Sequence, residues 1–339
     1  MADSWLELNT VNLLGRVDSR IDKVDLIKEI VANFNLGRVR RLRQIHEGFE
    51  DFNVKLETTR GKFLIKIFSQ YKSFRQVKDN VFGLVRFGEL GVATPKVLKN
   101  GLGDYLFYYE RNSTSALACV MEYFEGKSFW RWGREPIVEE IKDIVEDIVK
   151  INLSGFKPTG VYDVWGTVNL PYEFEKKKMF LATKEKIMTK KIVEEMGKID
   201  WSRLRKGTIH ADLQRSNILR NADGEIRIID FSVMQWGAVS VELAVFLALF
   251  VINPKLTKNR TEIEGLIDLV VDEYRKYSKL GKYDVQVLPI LIEATYAINH
   301  LAAVYEWKVK GNKTPETKYW IELGRRGMRL VGSGGAVLD

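Results

Sequence analysis

The sequence predicts an α+β chain in two lobes, an antiparallel five-stranded sheet over residues 1–124 and a larger helical lobe over 125–339. Three observations carry this. Short apolar runs of strand character follow one another up to residue 121, and from Pro136 onward apolar residues recur mainly at helical spacing. Between the later helices, residues 207–219 read as a short apolar strand, a polar turn and a second short strand. At 339 residues there is ample material for a core without disulfide staples.

Taken in order, Val24, Ile27, Ile30 and Val31 give residues 23–34 a helical apolar face, and Asn35-Leu36-Gly37 ends that helix. Strands follow at 39–45, 52–58 and 62–68, with Arg60-Gly61 turning the second into the third as a hairpin. The connection 46–53 has one glycine, Gly48, so it is no G-x-G-x-x-G, yet it is placed to fold over phosphates. Lys66 stands inside Phe63-Leu64-Ile65-Lys66-Ile67-Phe68. A lysine in such a run either snorkels to water or is paired with an anion. A helix at 71–90, strands at 95–98, 105–110 and 116–121, and the exit Glu122-Tyr123-Phe124-Glu125-Gly126 complete the first lobe.

The remainder is expected to form helices at 137–153, over 172–198 as one or two segments, and at 239–251, 260–277, 285–308 and 317–330. On the helix at 285–308, Glu293, Tyr296, His300 and Trp307 share a face. That face is either packed core with a satisfied histidine or the wall of a pocket for a sugar or aminated alcohol.

Composition narrows the partners. Hydrophobic residues at 45% and charged residues at 29% are ordinary for a globular chain. The net charge of +8 suits anionic ligands, but the lysine clusters, such as Lys176-Lys177-Lys178, alternate with acids; a solvated face is expected and nucleic acid is not. The single Cys119 excludes an intrachain disulfide and a cysteine zinc site. Residues 238–252 are too few for a membrane span and contain Glu242, and Asp3, Glu7, Arg16 and Asp18 leave no apolar signal region. No membrane association and a cytoplasmic location are the expectation.

The chemistry concentrates in the turn. Asp212 and Asn217 lie five positions apart, and Asp230 ends a later apolar run. An aspartate to take a hydroxyl proton, with an asparagine and a second aspartate to hold a metal, is the minimum set for kinase-type phosphoryl transfer. The structural alternative is a hairpin turn whose Asp and Asn bond their own backbone.

These residues resemble the aminoglycoside phosphotransferase and choline kinase-like family, a branch of the protein-kinase-like fold. The resemblance rests on His210-Ala211-Asp212-Leu213-Gln214-Arg215-Ser216-Asn217, on Ile229-Asp230-Phe231 and on Glu242-Leu243-Ala244. It is supported by residues 48–54 and 61–66, and it covers roughly residues 25 to 305 in matching order. The first strands and N-terminal helix are also similar to the homoserine kinase subgroup. The resemblance implies a bilobal kinase-like fold using ATP and Mg²⁺ to phosphorylate a small-molecule hydroxyl, on a sugar, amino alcohol, homoserine-like metabolite or aminoglycoside. By it, Asp212 is the catalytic base, Asn217 and Asp230 ligate Mg²⁺, and Lys66 binds the α- and β-phosphates. Gly48 and Asn53 belong to the nucleotide loop, and Glu122 and Phe124 to the adenine-binding segment. His210 is expected to shape the loop, Glu242 to brace it, and Arg215 either to reach the transferred phosphoryl group or to be exposed. The sequence departs from the pattern in three places: Asn80, with Asp79 beside it, stands where a helix glutamate holds the lysine; Ala211 replaces glycine; and Ser232 stands where protein kinases have glycine, implying constitutive activity. The first departure keeps a nucleotide-binding pseudokinase as the alternative. A protein kinase is disfavoured, since no A-P-E segment or long activation loop follows Asp230.

Overall fold

Alternation along the strands builds the first sheet. The computed structural model describes residues 17–45, 51–257 and 259–331, and divides into two units, Met1–Gly126 and Lys127–Asp339. In the first unit β1 (Val39–Ile45), β2 (Phe52–Thr58), β3 (Lys62–Ile67), β4 (Phe107–Arg111) and β5 (Thr114–Glu122) pair antiparallel in the order β1-β2-β3-β5-β4. Gly61, at φ 145°, allows the tight β2–β3 turn that Thr58 N–H closes on Gly61 O at 2.8 Å.

Each face of this sheet carries a helix. Helix α1 (Lys23–Asn33) is capped by Asp22, which accepts from Val24 N–H and Asp25 N–H, and buries Leu26, Ile27 and Ile30 against Val54, Leu56, Ile65, Ile67 and Val120. Helix α2 (Phe74–Glu89) starts at a Ser73/Gln76 capping box and buries Val77 and Val81 with Cys119 and Met121 on the other face. Because side chains alternate, Lys66, between Ile65 and Ile67, belongs to the α2 side; Asn53 and Cys119 are its direct cross-strand neighbours. The strand expected at 95–98 is reduced to a single bridge, Val97 to Met121. Pro95 offers no donor there, and the Asn100 N–H to Asp104 O bond turns the chain away.

The second unit is mainly helical. Its longer helices are α3 (Val138–Leu153), α4 (Leu170–Lys177), α5 (Thr183–Met196), α6 (Val239–Phe246), α7 (Arg260–Tyr277), α8 (Leu288–Lys308) and α9 (Pro315–Val331). A π-helical turn, Leu247–Val251, continues α6, and both are buried throughout, as expected of a core segment. Helix α9 lies close on α8, because a side chain at Gly324 or Gly327 would meet Tyr296 or His300 at under 3 Å. Tyr296 and His300 are fully buried. His300 Nδ1 bonds Ile321 O at 2.9 Å, and its Nε2 lies 3.2 Å from Glu185, which also pairs with Arg325. This part of the α8 face is core, and its histidine is satisfied.

Short strands frame the turn that carries Asp212. β7 (Lys206–Ile209) pairs with β10 (Gln235–Ala238), while β8 (Ile218–Arg220) lies between β9 (Ile226–Ile228) and β6 (Lys127–Ser128). The strands on either side of Asp212 therefore do not pair with each other, and the simple hairpin reading fails.

Candidate active site

Residues 210–217 form a loop held from below by side chains. Glu242, in the first turn of α6, accepts from His210 N–H at 2.7 Å and from Ala211 N–H at 2.8 Å. The His210 ring stacks obliquely on Phe231 and is fully buried. Its Nδ1 accepts from Asp212 N–H at 3.2 Å, so Nε2 carries the proton and donates to Ile229 O at 3.0 Å. Burial holds His210 at about 4, keeping it neutral in this role. The expectations that His210 shapes the loop and Glu242 braces it match this geometry.

The three candidate side chains of this unit follow from that frame. Asn217 donates Nδ2–H to Asp212 Oδ2 at 2.7 Å and to Asp212 O at 3.0 Å. Gln214 donates to both carboxylate oxygens of Asp212, at 2.9 and 3.1 Å. Ile229 N–H donates to Asn217 O at 2.9 Å, which sets Asp230 beside the loop at φ 65°. With its amide nitrogen committed to Asp212, Asn217 has its Oδ1 as an oxygen donor, which accepts from Ser216 Oγ at 3.4 Å, and Asp230 adds a carboxylate. Such oxygen donors suit Mg²⁺, which takes its other ligands from water and phosphate. Two protein donors are enough for that mode, and among the described residues no group of three or more His, Cys, Asp or Glu could hold a metal.

Asp212 is partly buried, and burial dominates its acidity. Burial pushes its carboxyl well above the usual range, and the carboxylates of Asp230 and Asp163 push the same way, against the bonds from Gln214 and Asn217. Asp163 is a residue that sequence reasoning missed. It lies in the irregular segment between α3 and α4, where Trp165 N–H donates to its Oδ1 at 2.9 Å and Asn169 donates to its carbonyl at 2.8 Å. That segment is pinned at Phe156 O by Thr208 Oγ1 and at Thr167 by Thr295, at 3.0 Å.

Arg215 takes neither of its expected roles. It forks onto Glu135, with Nη1 3.0 Å from Oε1, and donates Nε–H to Phe250 O at 3.2 Å. Asn253 completes the brace, 2.7 Å from the same Oε1. Ala211 sits at φ 67°, which explains why the related motif prefers glycine there.

In the first unit Lys66 is paired. Its Nζ lies 3.0 Å from Asp51 Oδ2, with the lysine side chain 14% exposed and the aspartate 3%. Ser69 N–H donates to Asp51 Oδ1 at 2.9 Å and Lys72 Nζ lies 2.8 Å from Oδ2. Burial raises the Asp51 carboxyl, but Lys66 and Lys72 outweigh it and hold it at about 2. The hairpin register foretells this partner. Asn53 faces Lys66, so Asp51 lies diagonal to it on the same face. Asn80, at the family's glutamate position, instead donates its amide to Gln76 O at 2.9 Å. Glu122 turns its side chain to Lys96, 2.9 Å away, and gives its N–H to Lys96 O at 2.9 Å, leaving its carbonyl as the group it can offer a base. Phe124 lies just beyond β5, and Gly48 lies outside the described residues.

Comparison with known proteins identifies the family and the fold. The model of the phosphotransferase enzyme family matches residues 41–277. A homoserine kinase of Bradyrhizobium diazoefficiens is 21% identical over 288 residues, 84% of each chain. Among solved structures, the amicoumacin kinase hAmiN in complex with AMP-PNP, Ca²⁺ and Ami has a TM-score of 0.64 at 12% identity, covering 91% of this chain and 94% of that one. A microcompartment-associated aminopropanol kinase has a TM-score of 0.62 at 15% identity, covering 92% and 97%. The fold is thus shared with small-molecule kinases, and, with the family model spanning more than half its length, the chain belongs to the phosphotransferase enzyme family.

Proposed function

We propose that this phosphotransferase moves the γ-phosphoryl group of ATP to the hydroxyl of a small, amine-bearing molecule. The observation that carries the reading is the braced loop, in which Asp212 is held by Gln214 and Asn217 while Glu242 and His210 fix the backbone beneath. In it, Asp212 orients the acceptor hydroxyl and takes its proton as the phosphoryl group arrives. A magnesium ion held by Asn217 and Asp230 would offset charge on the phosphate oxygens. Lys66 receives the α- and β-phosphates, with Asn53 beside it, and Glu122 and Phe124 serve adenine through their backbone. On this reading residues 1–124 bind nucleotide, residues 125–339 bind acceptor, and the reaction runs in the cytoplasm. The Asp51 partner of Lys66 supports an active enzyme over a pseudokinase, because the lysine has an anion to hold it.

The amine is supported by Asp163, a second carboxylate within electrostatic reach of Asp212. The homoserine kinase and aminopropanol kinase relatives are named for molecules that carry both an amine and a hydroxyl. Asp212→Asn keeps the shape of the loop and removes the base. Its transfer of labelled phosphate to a panel of amino alcohols, homoserine and aminoglycosides should fall by about a hundredfold or more while ADP binding survives. Undiminished transfer by that variant refutes the assignment.

A further inference from the structure

Lys66 shares its carboxylate with a second ammonium group. Lys72 Nζ lies 2.8 Å from the same Asp51 Oδ2 that Lys66 approaches at 3.0 Å. The sequence puts Lys72 in a costly place. It lies one residue before the Ser73 cap of α2, where the helix dipole disfavours a cation, and its side chain is only 12% exposed. A lysine there would ordinarily turn its head to water. Instead the turn closed by Lys72 N–H on Ser69 O, at 3.0 Å, aims the side chain back towards β3, and Ser69 N–H fixes the carboxylate it meets.

We propose that Lys72 is a second phosphate-binding cation of this enzyme, and that Asp51 is the positioning residue that holds Lys66 and Lys72 together for a nucleoside diphosphate moiety. The inference rests on the nucleotide reading of Lys66. Adjacent phosphates present non-bridging oxygens on two phosphorus atoms, and two ammonium groups on one carboxylate can each donate to one of them. Asp51 stays ionised through the neutral range, so the anion shared by the two side chains is in place before the nucleotide arrives. The arrangement lies wholly within the first unit and uses a residue outside the motifs that carry the family resemblance.

The test is calorimetric titration of the full chain with ADP and with adenosine, in the presence of magnesium. Lys72→Met should weaken ADP by about tenfold or more, the worth of one charge-assisted hydrogen bond, and leave adenosine unchanged; Lys72→Arg should recover part of the loss. Asp51→Asn separates positioning from charge. It makes the site more positive, so a purely electrostatic account requires tighter ADP binding, whereas loss of positioning requires weaker binding. ADP affinity within twofold of wild type in Lys72→Met, or an equal loss for ADP and adenosine, overturns the inference. A wild-type chain that binds neither ligand overturns the nucleotide reading itself.

Discussion

Replacing Glu242 with glutamine tests the brace under the loop that carries Asp212. The carboxylate is fully buried, and burial lifts it from 4.5 to about 7 against the two backbone N–H groups it accepts from. Between those values the folded chain keeps a proton that the unfolded chain has released. Stability from this group is therefore fully present below pH 4.5 and is lost as pH rises through about 7. The loss between about pH 5 and pH 8 comes to roughly 2–3 kcal/mol. Glutamine has the same shape, no charge and one acceptor in place of two. One buried N–H loses its partner, at about 1–3 kcal/mol, and at high pH this is offset by removing the buried charge. Glu242→Gln is thus expected to match the wild type near pH 8 and to fall below it by about 2–3 kcal/mol near pH 5. His210 titrates with the opposite sign, losing stability as pH falls from 6.5 to about 4, but it is common to both proteins and cancels in the difference. Urea unfolding of the two proteins at several pH values, followed by circular dichroism, gives the difference directly. Parallel stability curves would refute the buried, proton-linked brace.

Two further outcomes follow from the same loop. Ala211 pays for a left-handed backbone at φ 67°, so Ala211→Gly removes about 1 kcal/mol of strain and returns about half of it as unfolded-state entropy. A melting temperature equal to or slightly above wild type, with transfer retained, is the expected result, and a clear drop in both counts against it. Asp163→Asn removes a carboxylate that raises the Asp212 pKa, so the acid limb of the kcat profile should move to lower pH. In the same variant KM should rise for amine-bearing acceptors and not for ATP, a split that steady-state kinetics measures directly.

What was legible in the chain follows a physical line. The closeness of Asp212, Asn217 and Asp230 could be read because short apolar strands flank them, and the Ile229 N–H bond to Asn217 O joins the two segments. Lys66 could be read because an ion in an apolar run needs explanation. Its partner was missed because attention fell on the helix, although the turn at Arg60-Gly61 already sets the register that places Asp51 on the diagonal. The α8 face left two readings open for a different reason. Aromatic, acidic and histidine residues at helical spacing look the same whether they line a pocket or meet another helix. Only α9, pressed close through Gly324 and Gly327, decides that Tyr296 and His300 are core. Asp163 lies beyond any local pattern. Its segment has no period, and its anchors at Thr208 and Thr295 are 52 and 128 residues away in sequence from Phe156 and Thr167. This division has a functional logic. The step common to a phosphotransferase family needs a fixed constellation, which strands and short turns specify locally. Choice of acceptor needs a segment free to vary, held only at its ends, and such a segment carries its information in contacts that a linear reading does not contain.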